Sequence, residues 1–205
     1  MESWLYCFLR DPHRAEVAGA LGLAIAEEHS IPFVRNHTRA TIGWARAQLG
    51  HASEGVAMIR QGLAGFAETG SRIGITDRLT SLAEAQALDG KIDDALITIE
   101  EALLANPEEL VFRPNALTCR GELRLRLGQT ALAEADFREA IALAQKMQAK
   151  LWELRATISL ARLLASQGRR DEARAMLADI YNWFTEGFDT ADLIDAKALL
   201  DELSA

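Results

Sequence analysis

GELRLRLGQTALAEADFREA, residues Gly121–Ala140, is the stretch whose spacing decides the fold. Gly128 follows a helix-like run, and glycine supplies the left-handed backbone that ends a helix and turns the chain. Small residues stand seven before it (Gly121), five after it (Ala133) and twelve after it (Ala140), and the bulky apolar Phe137 stands nine after it. Two antiparallel helices joined at such a turn need small side chains where their axes cross, and a large one to fill the space beside them.

The same columns recur along the chain. Gln48-Leu49-Gly50, Leu88-Asp89-Gly90 and Ser166-Gln167-Gly168 repeat the turn, at intervals of 40, 38 and 40 residues. Seven before each glycine stand Gly43, Ala83 and Ala161, and five after stand Gly55, Ala95 and Ala173. Nine after stand Ile59, Ile99 and Leu177. Twelve after stand Gly62 and Ala102, and the pattern breaks at Ile180. A recurring unit of this length predicts stacked helical hairpins. Projecting back from Gly50 places another turn at Arg10, with Ser3, Ala15 and Gly22 in the small columns and Asp11-Pro12 starting a helix.

The expected layout is one all-α repeat domain over 1–205. It has a partial hairpin at 1–29, full hairpins at 33–69, 72–105, 110–147 and 151–181, and a capping helix at 189–203 opened by Asp189 and Thr190. A partial first hairpin leaves an open apolar face. The expectation is that a longer polypeptide or a partner covers it, a homodimer through that N-terminal face being one arrangement.

These columns resemble the tetratricopeptide repeat (TPR), which implies a right-handed α-α superhelix, a TPR-like solenoid. The period is about 40 rather than 34. Arg39, Leu79, Leu117 and Thr157 stand where that repeat carries an early aromatic.

A narrower resemblance lies in the last third. Phe137-Arg138-Glu139-Ala140-Ile141-Ala142-Leu143-Ala144, Ala149-Lys150-Leu151-Trp152-Glu153-Leu154-Arg155-Ala156-Thr157, Leu160-Ala161-Arg162-Leu163 and Trp183-Phe184-Thr185-Glu186-Gly187-Phe188-Asp189-Thr190 run in that order. They look like the C-terminal TPR-like region of bacterial AAA/STAND signalling ATPases, which are often joined to adenylate/guanylate cyclase or DNA-binding domains. That resemblance implies a sensor or scaffold arm serving upstream domains.

Composition narrows the function classes. The chain has 205 residues, with 22 Lys+Arg against 30 Asp+Glu and a net charge of −8. Phosphate binding favours a basic excess, so nucleic acid is not the expected partner. Cys7 and Cys119 form no Cys-x-x-Cys motif and read as free thiols in a reducing compartment. The chain start has no signal-peptide pattern, and the apolar run Val17–Ala26 is too short to span a bilayer, so a cytoplasmic, membrane-free protein is expected.

Catalytic patterns are not found. There is no Walker A loop, no dinucleotide glycine fingerprint and no His-Glu-x-x-His, and His13, His29, His37 and His51 lack zinc-ligand companions. The acidic pairs Glu27-Glu28, Asp93-Asp94, Glu100-Glu101 and Glu108-Glu109 read as solvated helix faces. No enzyme, cofactor or metal is expected.

Two columns are expected to line a partner-binding groove. Six before each turn glycine stand Trp44, Glu84, Glu122 and Arg162, and thirteen before stand His37, Asp77, Asn115 and Arg155. Arg124 and Arg126 lie near the change from acidic to basic. Such a face suits an extended peptide or helix bearing both signs of charge. The alternative is a soluble surface whose charges pair with one another. Trp152 and Trp183 read as packing residues. The expected function is a protein-interaction or regulatory module, weighed against a small-molecule sensor with a pocket near Trp44, His37 and Asp77 and against an enzyme, which would need convergent polar side chains in a deep cleft.

Overall fold

A computed structural model describes residues 2–68 and 70–204. The hairpin limits expected at residues 1 and 69 lie outside them. Among the described residues there are eleven α-helices, one 3-10 turn and no strand. The chain divides into two compact units, Met1–Glu108 and Glu109–Ala205.

The N-terminal unit holds α1 (Glu2–Phe8), α2 (Pro12–Glu28), α3 (Pro32–Gln48), α4 (Ala52–Glu68), α5 (Ile75–Leu88) and α6 (Ile92–Ala105). Each helix packs on its neighbour in sequence, and the first helices of successive hairpins also touch, α1 on α3 and α3 on α5. The C-terminal unit opens with the 3-10 turn Leu110–Phe112. It continues through α7 (Arg113–Arg126), α8 (Thr130–Lys146), α9 (Lys150–Ser166), α10 (Arg170–Tyr181) and α11 (Ala191–Ser204). There α7 touches α8 and α9, and α11 packs on α9 and α10. No described helix is long and apolar enough to cross a membrane.

The turns explain the spacing. Gly50, Gly90, Gly128 and Gly168 have φ of +93°, +79°, +72° and +82°. Beyond each glycine an amide reaches back five residues. His51 N–H donates to the Arg46 carbonyl (2.9 Å), Lys91 to Gln86 (2.9 Å), Gln129 to Arg124 (2.8 Å) and Arg169 to Leu164 (2.9 Å). These bonds satisfy carbonyls that the helix end would orphan.

Three further turns close in the same way without glycine, one within the first hairpin at Arg10 and two between hairpins at Ser30 and Gln148. The turn after α4 instead uses Gly70 (φ +67°), with Ser71 donating to the Phe66 carbonyl (3.2 Å). Arg10, Ser30 and Gln148 sit at φ of 56°, 51° and 56°, and Asp11, Ile31 and Ala149 donate to the carbonyls of Tyr6, Ala26 and Ala144. An L side chain there costs roughly 1–2 kcal/mol. Ser30→Gly is therefore expected to stabilise the N-terminal unit by about 1 kcal/mol, offset in part by unfolded-chain entropy. A higher urea midpoint with an unchanged slope is the check.

The small columns set the helix approach. In the N-terminal unit the α3 and α4 backbones meet at Gly43 and Gly55, and the core around them gathers Ala15, Ala45, Ala47, Val56, Ile59 and Leu82. In the C-terminal unit Gly121 lies against the Phe137 ring, within a core that runs on through Leu154, Leu164 and Leu177 to Leu193 and Leu203 of α11. Burying this apolar surface drives each unit's folding. Just before α11 Gly187 turns the chain at φ +76°, and the Thr190 hydroxyl donates to its carbonyl (2.7 Å).

Candidate functional site

In the N-terminal unit the expected groove columns converge on one face. Trp44 on α3 donates its indole Nε1–H to the Glu84 carboxylate on α5 at 2.9 Å. Two turns nearer the helix starts, His37 on α3 and Asp77 on α5 flank Trp4 of α1. The Trp4 Nε1–H donates to Asp77 at 3.0 Å, and its ring meets the His37 ring edge-on at 5.6 Å. Phe33 stacks parallel to His37 at 6.4 Å and meets Phe66 edge-on at 5.4 Å. The Arg78 guanidinium lies 3.7 Å from the Phe66 ring centre, a cation–π contact in a largely buried setting.

Sequence reasoning missed Trp4, although its signal was present. With the first turn at Arg10, Trp4 stands six before it, in the column of Trp44 and Glu84. Three successive first helices thus place side chains on one face: an indole from α1, an indole and an imidazole from α3, and two carboxylates from α5.

This environment sets the acidity of two groups. Burial, aided by the charge of Arg78, lowers the His37 pKa to about 4. Burial, with Asp77 and Glu84 nearby, raises the Cys7 thiol and keeps it protonated. The depressed His37 makes the folded state the weaker proton binder. Stability is retained above the unfolded value near 6.5 and falls as pH drops from there towards 4. After discounting for partial exposure the loss should be about 2 kcal/mol, and His37→Gln should remove that part of the acid sensitivity. Urea titrations at a series of pH values would check it.

In the C-terminal unit the expected residues are engaged differently. Glu122 is exposed and accepts from the Ser159 hydroxyl at 2.9 Å. Arg155 forms a bidentate pair with Asp192 of α11, at 3.0 and 2.7 Å, and its guanidinium lies 5.2 Å from the Trp152 ring centre. Arg126 and Arg162 are exposed, and Asn115 is half-buried. Arg124 turns into the unit, where it and Arg120 hold the buried Asp136 at 2.8 and 2.7 Å. Trp152 is buried, as a packing residue should be. Trp183 is not: it is 57% exposed, because the chain leaves the helix there, and it lies 5.6 Å from the Lys150 ammonium. A cavity of about 200 Å³ opens beside it, with Glu153, Thr157 and Met176 in its wall. Ligand sites usually enclose about 300–1,000 Å³.

Among the described residues no three His, Cys, Asp or Glu side chains gather as a metal ion would require. Solved structures reproduce the arrangement of helices. A thermophilic TPR protein of Thermus thermophilus superposes with a TM-score of 0.70 at 20% identity, over 96% of this chain and 94% of that one. The chain has a tetratricopeptide-like repeat fold. A STAND protein of Pyrococcus horikoshii with a tetratricopeptide repeat sensor matches this TPR-like chain with a TM-score of 0.67 at 13% identity, over 96% of this chain and 34% of that one. The TPR2AB domain of yeast Sti1, solved with a pHSP90 partner, matches with a TM-score of 0.52 at 14% identity, over 99% and 83%. No protein-family profile and no curated protein matches the sequence. TPR-like folds generally mediate protein–protein interaction.

Proposed function

We propose that this TPR-like chain is a non-catalytic protein-interaction and regulatory module that receives a peptide or helix of a protein partner on the face of its first helices. The observation that carries this reading is the meeting of Trp4, His37, Trp44, Asp77 and Glu84 from three successive first helices on one face. An extended segment crossing that face would meet the half-buried Trp4 indole, the His37 imidazole and the Asp77 and Glu84 carboxylates, with the buried Trp44 beneath them, the mixture of apolar contact and fixed polar groups that peptide grooves use. In the C-terminal unit the same columns offer Asn115, Glu122, Arg126, Arg155 and Arg162. The partial hairpin, four full hairpins and capping helix set out above are proposed as one repeat array.

A finer reading makes the chain the regulatory arm of a bacterial signalling ATPase or cyclase, in the cytoplasm, with upstream domains of the same polypeptide as the partner. The sequence wording of residues 137–190 supports it, and so does the fold likeness to the Pyrococcus STAND protein. A small-molecule sensor is the weaker reading, since Trp4 occupies the space between His37 and Asp77 where its pocket was expected.

The test is selection of peptides from a displayed random library on the full chain. Asp77→Asn should weaken peptides held by the N-terminal unit, and Arg162→Glu those held by the C-terminal unit, about tenfold with unchanged melting, whereas Glu139→Lys on the second helix α8 should weaken neither. Selected peptides that bind all three variants as tightly as the parent chain would remove this face as the site.

A further inference from the structure

Helix α2 carries a longer exposed apolar stripe than the other second helices, of which α6 comes nearest with Ile97 and Leu104. Val17, Leu21 and Ile25 are 65%, 66% and 55% exposed, and their spacing of four puts them on one face. Ala20 and Ala24 lie exposed along the same stripe. Eleven residues after each turn, the column of Leu21 gives Gln61, Glu101, Glu139 and Asp179 in the other hairpins, and all four are exposed. Hairpin stacking within either unit therefore leaves this column in solvent, and only in α2 is it apolar. Leu5 behaves differently. Five before the turn, its column holds Ala45, Ala85, Leu123 and Leu163, all buried, while Leu5 is 53% exposed. A further stacked hairpin would be expected to cover Leu5 and to leave Leu21 bare.

The charges at the ends of the stripe indicate its occupant. Arg14 lies in the first turn of α2 and Glu28 in the last. Each has the wrong sign for the helix dipole, and both are exposed. They stand equally far from Leu21 along the chain, as Val17 and Ile25 do. A second α2 laid antiparallel about a two-fold axis through Leu21 would bring Leu21 onto the partner's Leu21 and Val17 onto the partner's Ile25. It would also set Arg14 against the partner's Glu28 at both ends. The alanines allow the close approach such a pair needs. A self-complementary stripe of this kind is what an isologous dimer requires.

We propose that the α2 stripe is a homodimer interface in which two copies of the chain pack α2 against α2, antiparallel about Leu21. The apolar centre supplies the affinity and the terminal charges fix the register. The interface is small, so the dimer exchanges with monomer.

Sedimentation velocity of the full chain between about 1 and 200 μM tests this, a range in which a small interface dissociates. The unmodified chain should pass from monomer to dimer. Leu21→Lys should stay monomeric throughout, and Ile25→Glu gives the same readout if Leu21→Lys fails to fold. Arg14→Glu should raise the dissociation constant about tenfold or more by placing like charges together. Adding Glu28→Arg should bring it back to within about threefold of the parent. A chain that remains monomeric, a dimer that survives both apolar substitutions, or a charge exchange that fails to restore association would overturn the proposal.

Discussion

Gly55→Val is expected to destabilise the N-terminal unit by about 4 kcal/mol or more. A Cβ on Gly55 would stand 2.4 Å from the Gly43 carbonyl oxygen and 2.9 Å from the Ala47 amide nitrogen. Both are backbone atoms of α3, so no side chain can swing aside, and the helices must separate. Separation strips contact from Ile59 and Val56, which the close approach buries. Gly50→Ala is the contrast. Nothing lies within 4 Å of its Cβ, and its cost is the left-handed strain alone, roughly 1–2 kcal/mol. Hydrogen exchange at α3 and α4 amides separates the two cases, because it reads the opening of that hairpin directly. Equal losses would mean that the helix crossing has been misplaced.

Arg155→Glu should cost the C-terminal unit about 3–5 kcal/mol. The Arg155 guanidinium grips both oxygens of Asp192, whose side chain is only 6% exposed. Reversal would leave two carboxylates facing one another in a site that excludes water. Combining it with Asp192→Arg should return much of the loss, the coupling that a double-mutant cycle measures. Additive losses would show that the two residues do not form the pair. Arg155 therefore clamps α9 to the last helix, and any effect of its reversal on partner binding carries a stability component. The exposed Arg162 gives the cleaner binding test.

What the sequence disclosed follows from which positions were constrained by backbone geometry. The turns at residues 50, 90, 128 and 168 were legible because their positive φ selects glycine. The small columns were legible because a Cβ at Gly43 or Gly55 would collide with backbone. The breaks at 30–32 and 148–150 were placed in the sequence, but the left-handed backbone of Ser30 and Gln148 was hidden, since residues with side chains occupy that region there and bear its strain. Trp4 was recoverable from the arithmetic that placed the first turn at Arg10, but a short opening helix did not suggest a side chain reaching Asp77, 73 positions away. The clasp between Arg155 and Asp192 was out of reach, because α11 lies past the last repeat and has no column to align. The exposure of Trp183 was likewise hidden, because residue type predicts burial of an aromatic only where a helix continues beneath it.

Successive first helices placing their matching columns side by side is the premise of the interaction face. An NMR nuclear Overhauser measurement on the Trp44 indole proton tests it most directly. A cross-peak to the Glu84 side chain, with slow exchange of that proton, is the predicted result. An indole proton that exchanges at the solvent rate and shows no contact with Glu84 would contradict the shared face and the peptide site built on it.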